Sequence, residues 1–145
     1  MRSNFSESAL ARLREQRGWA DHVLRLARHI DWPDRALLDA VYGRGLSATA
    51  VAHAAGRSPR AVRNRLTRLV KRLSSPEFHF VLREKQHWPL ERRRIADLVI
   101  LRGRSQREAA AELGVTIHRV RRELERLRAL HEAAMNEHEP TRAAG

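Results

Sequence analysis

Apolar residues recur along this chain three or four positions apart, and nowhere with the strict alternation of a half-buried strand. Residues 1–8 are polar and are expected to fray. A short helix is predicted over 9–16, with Leu10 and Leu13 on one side and Gly18 interrupting it. Trp19, Val23, Leu26, Ala27 and Ile30 then mark the buried stripe of an amphipathic helix. Pro33 suits a first helical position and opens a helix to about residue 42 that buries Leu37, Leu38 and Val41. Gly43 and Gly45 end it. Ser47 is placed to cap a helix over 48–55, Gly56 turns the chain, and Ser58-Pro59 starts a helix to about residue 73. Ser75-Pro76 repeats that signal before a short helix carrying Phe78, Val81 and Leu82. A helix over 90–101 directs Ile95, Leu98 and Val99 inward and stops at Gly103. Ser105 caps a helix over 106–113, Gly114 turns, and Thr116 caps a last helix over 117 to about 135. Residues 136–145 are expected to be disordered.

Part of this pattern occurs twice. Residues 46–69 and 104–127 align without a gap, matching Ser47 to Ser105, Ala52 to Ala110, Gly56 to Gly114, Val62 to Val120, Arg63 to Arg121, Leu66 to Leu124 and Leu69 to Leu127. Each copy predicts a short helix, a tight turn and a longer Arg-rich helix, the pattern of a helix-turn-helix. Trp88-Pro89 echoes Trp32-Pro33, so the two tryptophans are expected to anchor equivalent helices, and Trp19 to pack likewise. The predicted fold is therefore all-α, with two tandem three-helix modules at 32–74 and 88–135. An N-terminal helical segment at 1–31 precedes them. A rigid helical connector at 75–87 joins them and is expected to hold their last helices about 34–36 Å apart, one DNA turn.

Charge sharpens the picture. The formal net charge is +12, of which +7 falls within 32–75 and +4 within 102–128. Basic charge concentrated on the second helix of each copy points to nucleic acid. On the first of these helices Val62, Leu66, Leu69 and Leu73 share one face, while Arg60, Asn64, Thr67, Arg68 and Lys71 point away and Arg63 lies on a flank. On the second, Val120, Leu124 and Leu127 face inward with Ile117, and His118, Arg122, Glu125 and Arg126 face out, with Arg119 and Arg121 flanking. Arginine pairs bidentately with guanine and asparagine with adenine, which suits base readout. The candidate DNA-binding residues are Ser58, Arg60, Arg63, Asn64, Arg65, Thr67, Arg68 and Lys71 in the first copy. In the second they are Thr116, His118, Arg119, Arg121, Arg122 and Arg126. Base specificity is assigned to Arg60, Arg63 and Asn64, and to His118, Arg121 and Arg122.

At this point the chain resembles a known family. WPDRALLDAVYGRGLSATAVAHAAGRSPRAVRNRLTRL is similar to region four of extracytoplasmic-function sigma factors, and WPLERRRIADLVILRGRSQREAAAELGVTIHRVRRELERLRAL more closely still. The resemblance spans roughly 32–73 and 88–130. It implies that the second helix of each motif grips promoter DNA. The family's Val-Lys-x-Arg-Leu falls on Val62, Arg63, Asn64, Arg65 and Leu66, and on Val120, Arg121, Arg122, Glu123 and Leu124, with Glu123 standing where the family has a basic residue. Residues 1–31 are too short for the family's region two, so the resemblance is to the DNA-reading part of a sigma factor. Two such modules in tandem also differ from the sigma arrangement.

Other chemistry is set aside. There is no cysteine, which excludes disulfides and thiolate zinc sites and makes an intracellular, cytoplasmic compartment the expectation. No stretch reaches the roughly 18 apolar residues of a membrane span, and the N-terminus lacks the apolar core of a secretory signal. The eight histidines form no ligand pattern, no glycine-rich phosphate loop is present, and Ser58 and Thr116 are caps rather than nucleophiles. The expectation is a non-enzymatic, cofactor-free, metal-free regulator that binds double-stranded DNA as a monomer. The alternatives are a module docking on RNA polymerase or an anti-sigma-like partner, and a DNA-targeting subunit of a recombination or packaging assembly.

Overall fold

The computed structural model describes residues 7–138. Among them every regular element is helical and there is no strand. The chain forms two compact units, one ending at Leu73 and the other beginning at Ser74.

The first unit contains α1 (Glu7–Leu26), a 3₁₀ turn (Ala27–His29), α2 (Trp32–Leu38), a π-helical turn (Asp39–Gly43), α3 (Ala48–Ala55) and α4 (Pro59–Leu73). Helix α1 packs on the π-helical turn, on α2 and on α4, and α3 lies along α4. Val23, Ala27, Ile30, Leu37, Leu38, Ala40 and Ala52 are buried with the α4 face Val62, Leu66, Leu69 and Leu73. Burying each such valine or leucine contributes about 1.5–3 kcal/mol.

The second unit contains α5 (Pro76–Glu84), a 3₁₀ turn (Lys85–His87), α6 (Leu90–Ala96), a π-helical turn (Asp97–Leu101), α7 (Gln106–Leu113) and α8 (Ile117–His138). Its core gathers Ile95, Ala110, Val120 and Leu124, with Val99, Ile100, Leu113, Val115 and Ile117 packed around them. From the end of its first helix onward, each element stands 58 positions after its counterpart, and only α8 runs longer than α4.

The structure departs from the sequence reading in several places. Helix α1 is continuous through Gly18, because an exposed glycine weakens a helix without breaking it when the flanking face is anchored by Val23 and Ala27. Residues 76–84 are the opening helix of the second unit: α5 packs on the π-helical turn Asp97–Leu101 and on α8, with Phe78 and Val81 fully buried. Trp32 is 76% exposed, so it does not pack between helices. With a repeat of 58, the counterpart of Trp88 is Ile30. Both follow a 3₁₀ turn in extended conformation, and each donates its N–H back to that turn, Ile30 to Ala27 and Trp88 to Lys85. Ile30 is buried, and Trp88 lies 5.7 Å from Phe80. Trp19 is also largely exposed, 6.1 Å from His22. Helix α8 runs on to His138, so 136–138 are ordered. The expectations for residues 1–6 and 139–145 lie outside the described residues, as do the side chains of Leu10 and Leu13.

Candidate nucleic-acid interface

Helices α4 and α8 are set by the same local devices. Ser47 Oγ accepts from the Ala50 N–H at 3.0 Å, and Ser105 Oγ from Glu108 at 3.1 Å, which satisfies donors that a helix start leaves bare. In α7 the Glu108 side chain also reaches back to the Ser105 N–H, closing a capping box. Gly56 and Gly114 then turn the chain at φ +64° and +66°, a region that residues with a Cβ enter at a cost. Ser58 Oγ accepts from Ala61 N–H and Thr116 Oγ1 from Arg119 N–H, each at 3.1 Å, so both are helix caps. Positive helix starts at these caps favour an anionic partner.

The α4 surface is purely cationic. Between Pro59 and Leu73 there is no acidic residue. Arg60, Arg63, Asn64, Thr67, Arg68 and Lys71 are all exposed. Among the described residues, the side chains of Arg60, Arg63, Asn64, Arg68 and Lys71 have no ion-pair or hydrogen-bond partner. Thr67 donates its hydroxyl to the Arg63 carbonyl at 3.0 Å, which leaves its acceptor capacity facing out. Arg65 is different. It is half-buried, and its Nε donates to Asp34 Oδ1 on α2 at 2.9 Å. Arg72 Nη2 lies 3.9 Å from the other Asp34 oxygen. Burial pulls the Arg72 pKa below its usual value, against the opposing pull of Asp34 and Asp31.

The α8 surface is largely committed within its own unit. Arg119 pairs with Glu91 of α6, with Nη2 2.7 Å from Oε2. Arg121 Nε donates to Gln106 Oε1 at 3.2 Å, and Arg126 to Glu123 at 3.2 Å. Glu123 itself turns toward α6 and accepts from Arg92 Nε at 2.8 Å. His118 and Arg122 are exposed and, among the described residues, have no ion-pair or hydrogen-bond partner. An open depression of about 350 Å³ runs between Thr116, His118, Arg119, Arg122, Glu123 and Arg126.

Sequence reasoning missed Asp34, Glu91 and Gln106, which hold Arg65, Arg119 and Arg121, and Arg92, which holds Glu123. The signal was present: at a repeat of 58, Asp34 and Arg65 fall on Arg92 and Glu123, a charge exchange at two positions at once. The units differ elsewhere too. Where α8 and α6 are bridged by Arg119 and Glu91, the first unit has Ala61 and Pro33. There an open groove of about 460 Å³ lies along Pro33, Ala36, Leu37, Ala50, Ala54 and Ala61. Among the described residues no group of side chains is arranged to hold a metal ion, and no helix is long and apolar enough to cross a membrane. No family model, curated protein or solved structure matches this chain.

Proposed function

We propose that this protein binds double-stranded DNA in a sequence-specific manner and regulates transcription, each unit carrying a helix-turn-helix whose second helix, α4 or α8, enters the major groove. The observation that carries the reading is the α4 surface, where Arg60, Arg63, Arg68 and Lys71 stand exposed beside Asn64 with no partner among the described residues. A row of exposed cations on one helix can neutralise several DNA phosphates at once, which releases the counterions condensed on the duplex. Asn64 and Arg63 add groups that match base edges. The resemblance to sigma region four supplies the transcriptional setting.

The structure supports a division of labour in this reading. The first unit offers free cations and is the principal reader. In the second, Arg119, Arg121 and Arg126 are already held by Glu91, Gln106 and Glu123. The charges of Arg119 and Arg126 are partly offset by carboxylates, Arg121 is engaged by a neutral amide, and DNA has to compete with all three partners. Ser58 and Thr116 contribute through the helix starts they cap, and Arg65 contributes by fixing α4 on α2. Selection of bound duplexes from a random pool, at fixed salt, tests the proposal. Enrichment of a common site supports it, and a selected pool as diverse as the input contradicts it.

A further inference from the structure

In the first unit Asp34 on α2 pairs with Arg65 on α4, and in the second Arg92 on α6 pairs with Glu123 on α8. The positions correspond and the charges are reversed. The apolar residues beside them are the same on α4 and α8, while α2 and α6 differ, with Leu38 standing where the second unit has Ala96. Val62, Leu66 and Leu69 correspond to Val120, Leu124 and Leu127, all buried, and Leu37 and Leu38 correspond to Ile95 and Ala96. Hydrophobic contact is non-directional and follows area, so it scarcely distinguishes α2 on α4 from α2 on α8. Charge does distinguish them.

We infer that the two opposed ion pairs act as an address, keeping each unit's second helix on its own fourth helix as the chain folds and when two copies of it meet. Cross-pairing sets Asp34 against Glu123 and Arg92 against Arg65. Three of these side chains are less than 20% exposed and the fourth, Arg65, is 37% exposed, so water screens such like-charge meetings poorly. Discrimination by a repulsive wrong partner is a general route to specificity, and exchange of equivalent elements between copies is the hazard it guards against. An ion pair serving stability alone has no need of opposite polarity in the two units.

The test is refolding of the full chain from urea over a range of protein concentrations, with species resolved by size-exclusion chromatography and light scattering. Arg92→Asp with Glu123→Arg gives both units the same polarity, and Asp34→Arg with Arg65→Glu does so from the other side. Each is expected to raise the fraction of exchanged oligomers several-fold over the unaltered chain, increasingly with concentration. Combining all four changes restores opposite polarity and is expected to return that fraction to the starting level. A two-residue variant that fails to fold while the four-residue variant folds also supports the address. Two-residue variants that refold with the unaltered size distribution overturn it. So does failure of the four-residue variant to fold, because polarity is then set by local surroundings.

Discussion

Arg63 and Asn64 sit on the exposed face of α4 with no side-chain partner among the described residues, while Arg65 between them and the core is held by Asp34. Neighbours in sequence therefore have different jobs. Replacing Arg63 and Asn64 with alanine is expected to relax base preference at particular positions of the site, by about 1–3 kcal/mol for each bidentate pairing to a base that the change removes. The same change at Arg121 and Arg122 is expected to cost less, since Gln106 already engages Arg121. Comparing selected-site profiles for the two double variants checks the ranking, and a larger loss from the second pair reverses it. Arg65→Ala is expected to act on folding. It leaves Asp34 with the more distant Arg72, at 3.9 Å, and lowers stability by about 1 kcal/mol in urea denaturation, with no change in the salt slope of DNA binding. A reduced slope with unchanged stability would instead place Arg65 on a phosphate. Glu123 was legible only as an acidic intrusion among basic residues, because the helical wheel fixes its direction while its partner Arg92 lies 31 positions earlier.

Helix ends carried the strongest local signals. The caps Ser47, Ser58, Ser105 and Thr116 and the turns at Gly56 and Gly114 were readable because each depends on a few adjacent residues. Replacing Ser58 or Thr116 with alanine is expected to lower stability by about 0.5–2 kcal/mol, read as a shift in the denaturation midpoint with unchanged slope. Less legible were features decided by packing. The π-helical turns Asp39–Gly43 and Asp97–Leu101 share only their opening aspartate and their central valine, Val41 and Val99, and their register is set by the helices they touch. Gly18 read as a break since glycine disfavours helix, yet one unfavourable residue is outweighed by a buried face. A Cβ at Gly18 meets nothing within 4 Å, so Gly18→Ala is expected to stabilise the chain by about 0.5–1 kcal/mol. An unchanged or lower melting temperature would argue against a continuous α1.

Across the whole chain, the repeat was visible where it builds caps, turns and core, and hidden where only shape is kept. The ungapped match over 46–69 and 104–127 has the same period of 58 that the structure extends back to the ends of α1 and α5. Upstream of the match, the Trp-Pro pairs suggested a shorter period, and that misplaced Trp32 as a buried anchor and 75–87 as a separate connector. Ile30 and Trp88 fill equivalent places with side chains too unlike to align by eye. Net charge belongs to this scale as well, since +12 on one chain shapes its encounter with any polyanion. The central claim is that the exposed cations of α4 and α8, those of α4 foremost, neutralise DNA phosphates. The most direct measurement is the equilibrium affinity for a selected duplex as a function of salt. With roughly 6–10 phosphate contacts, affinity is predicted to fall about 10³–10⁵-fold between 50 and 200 mM salt. Affinity that barely changes over that range would contradict the account.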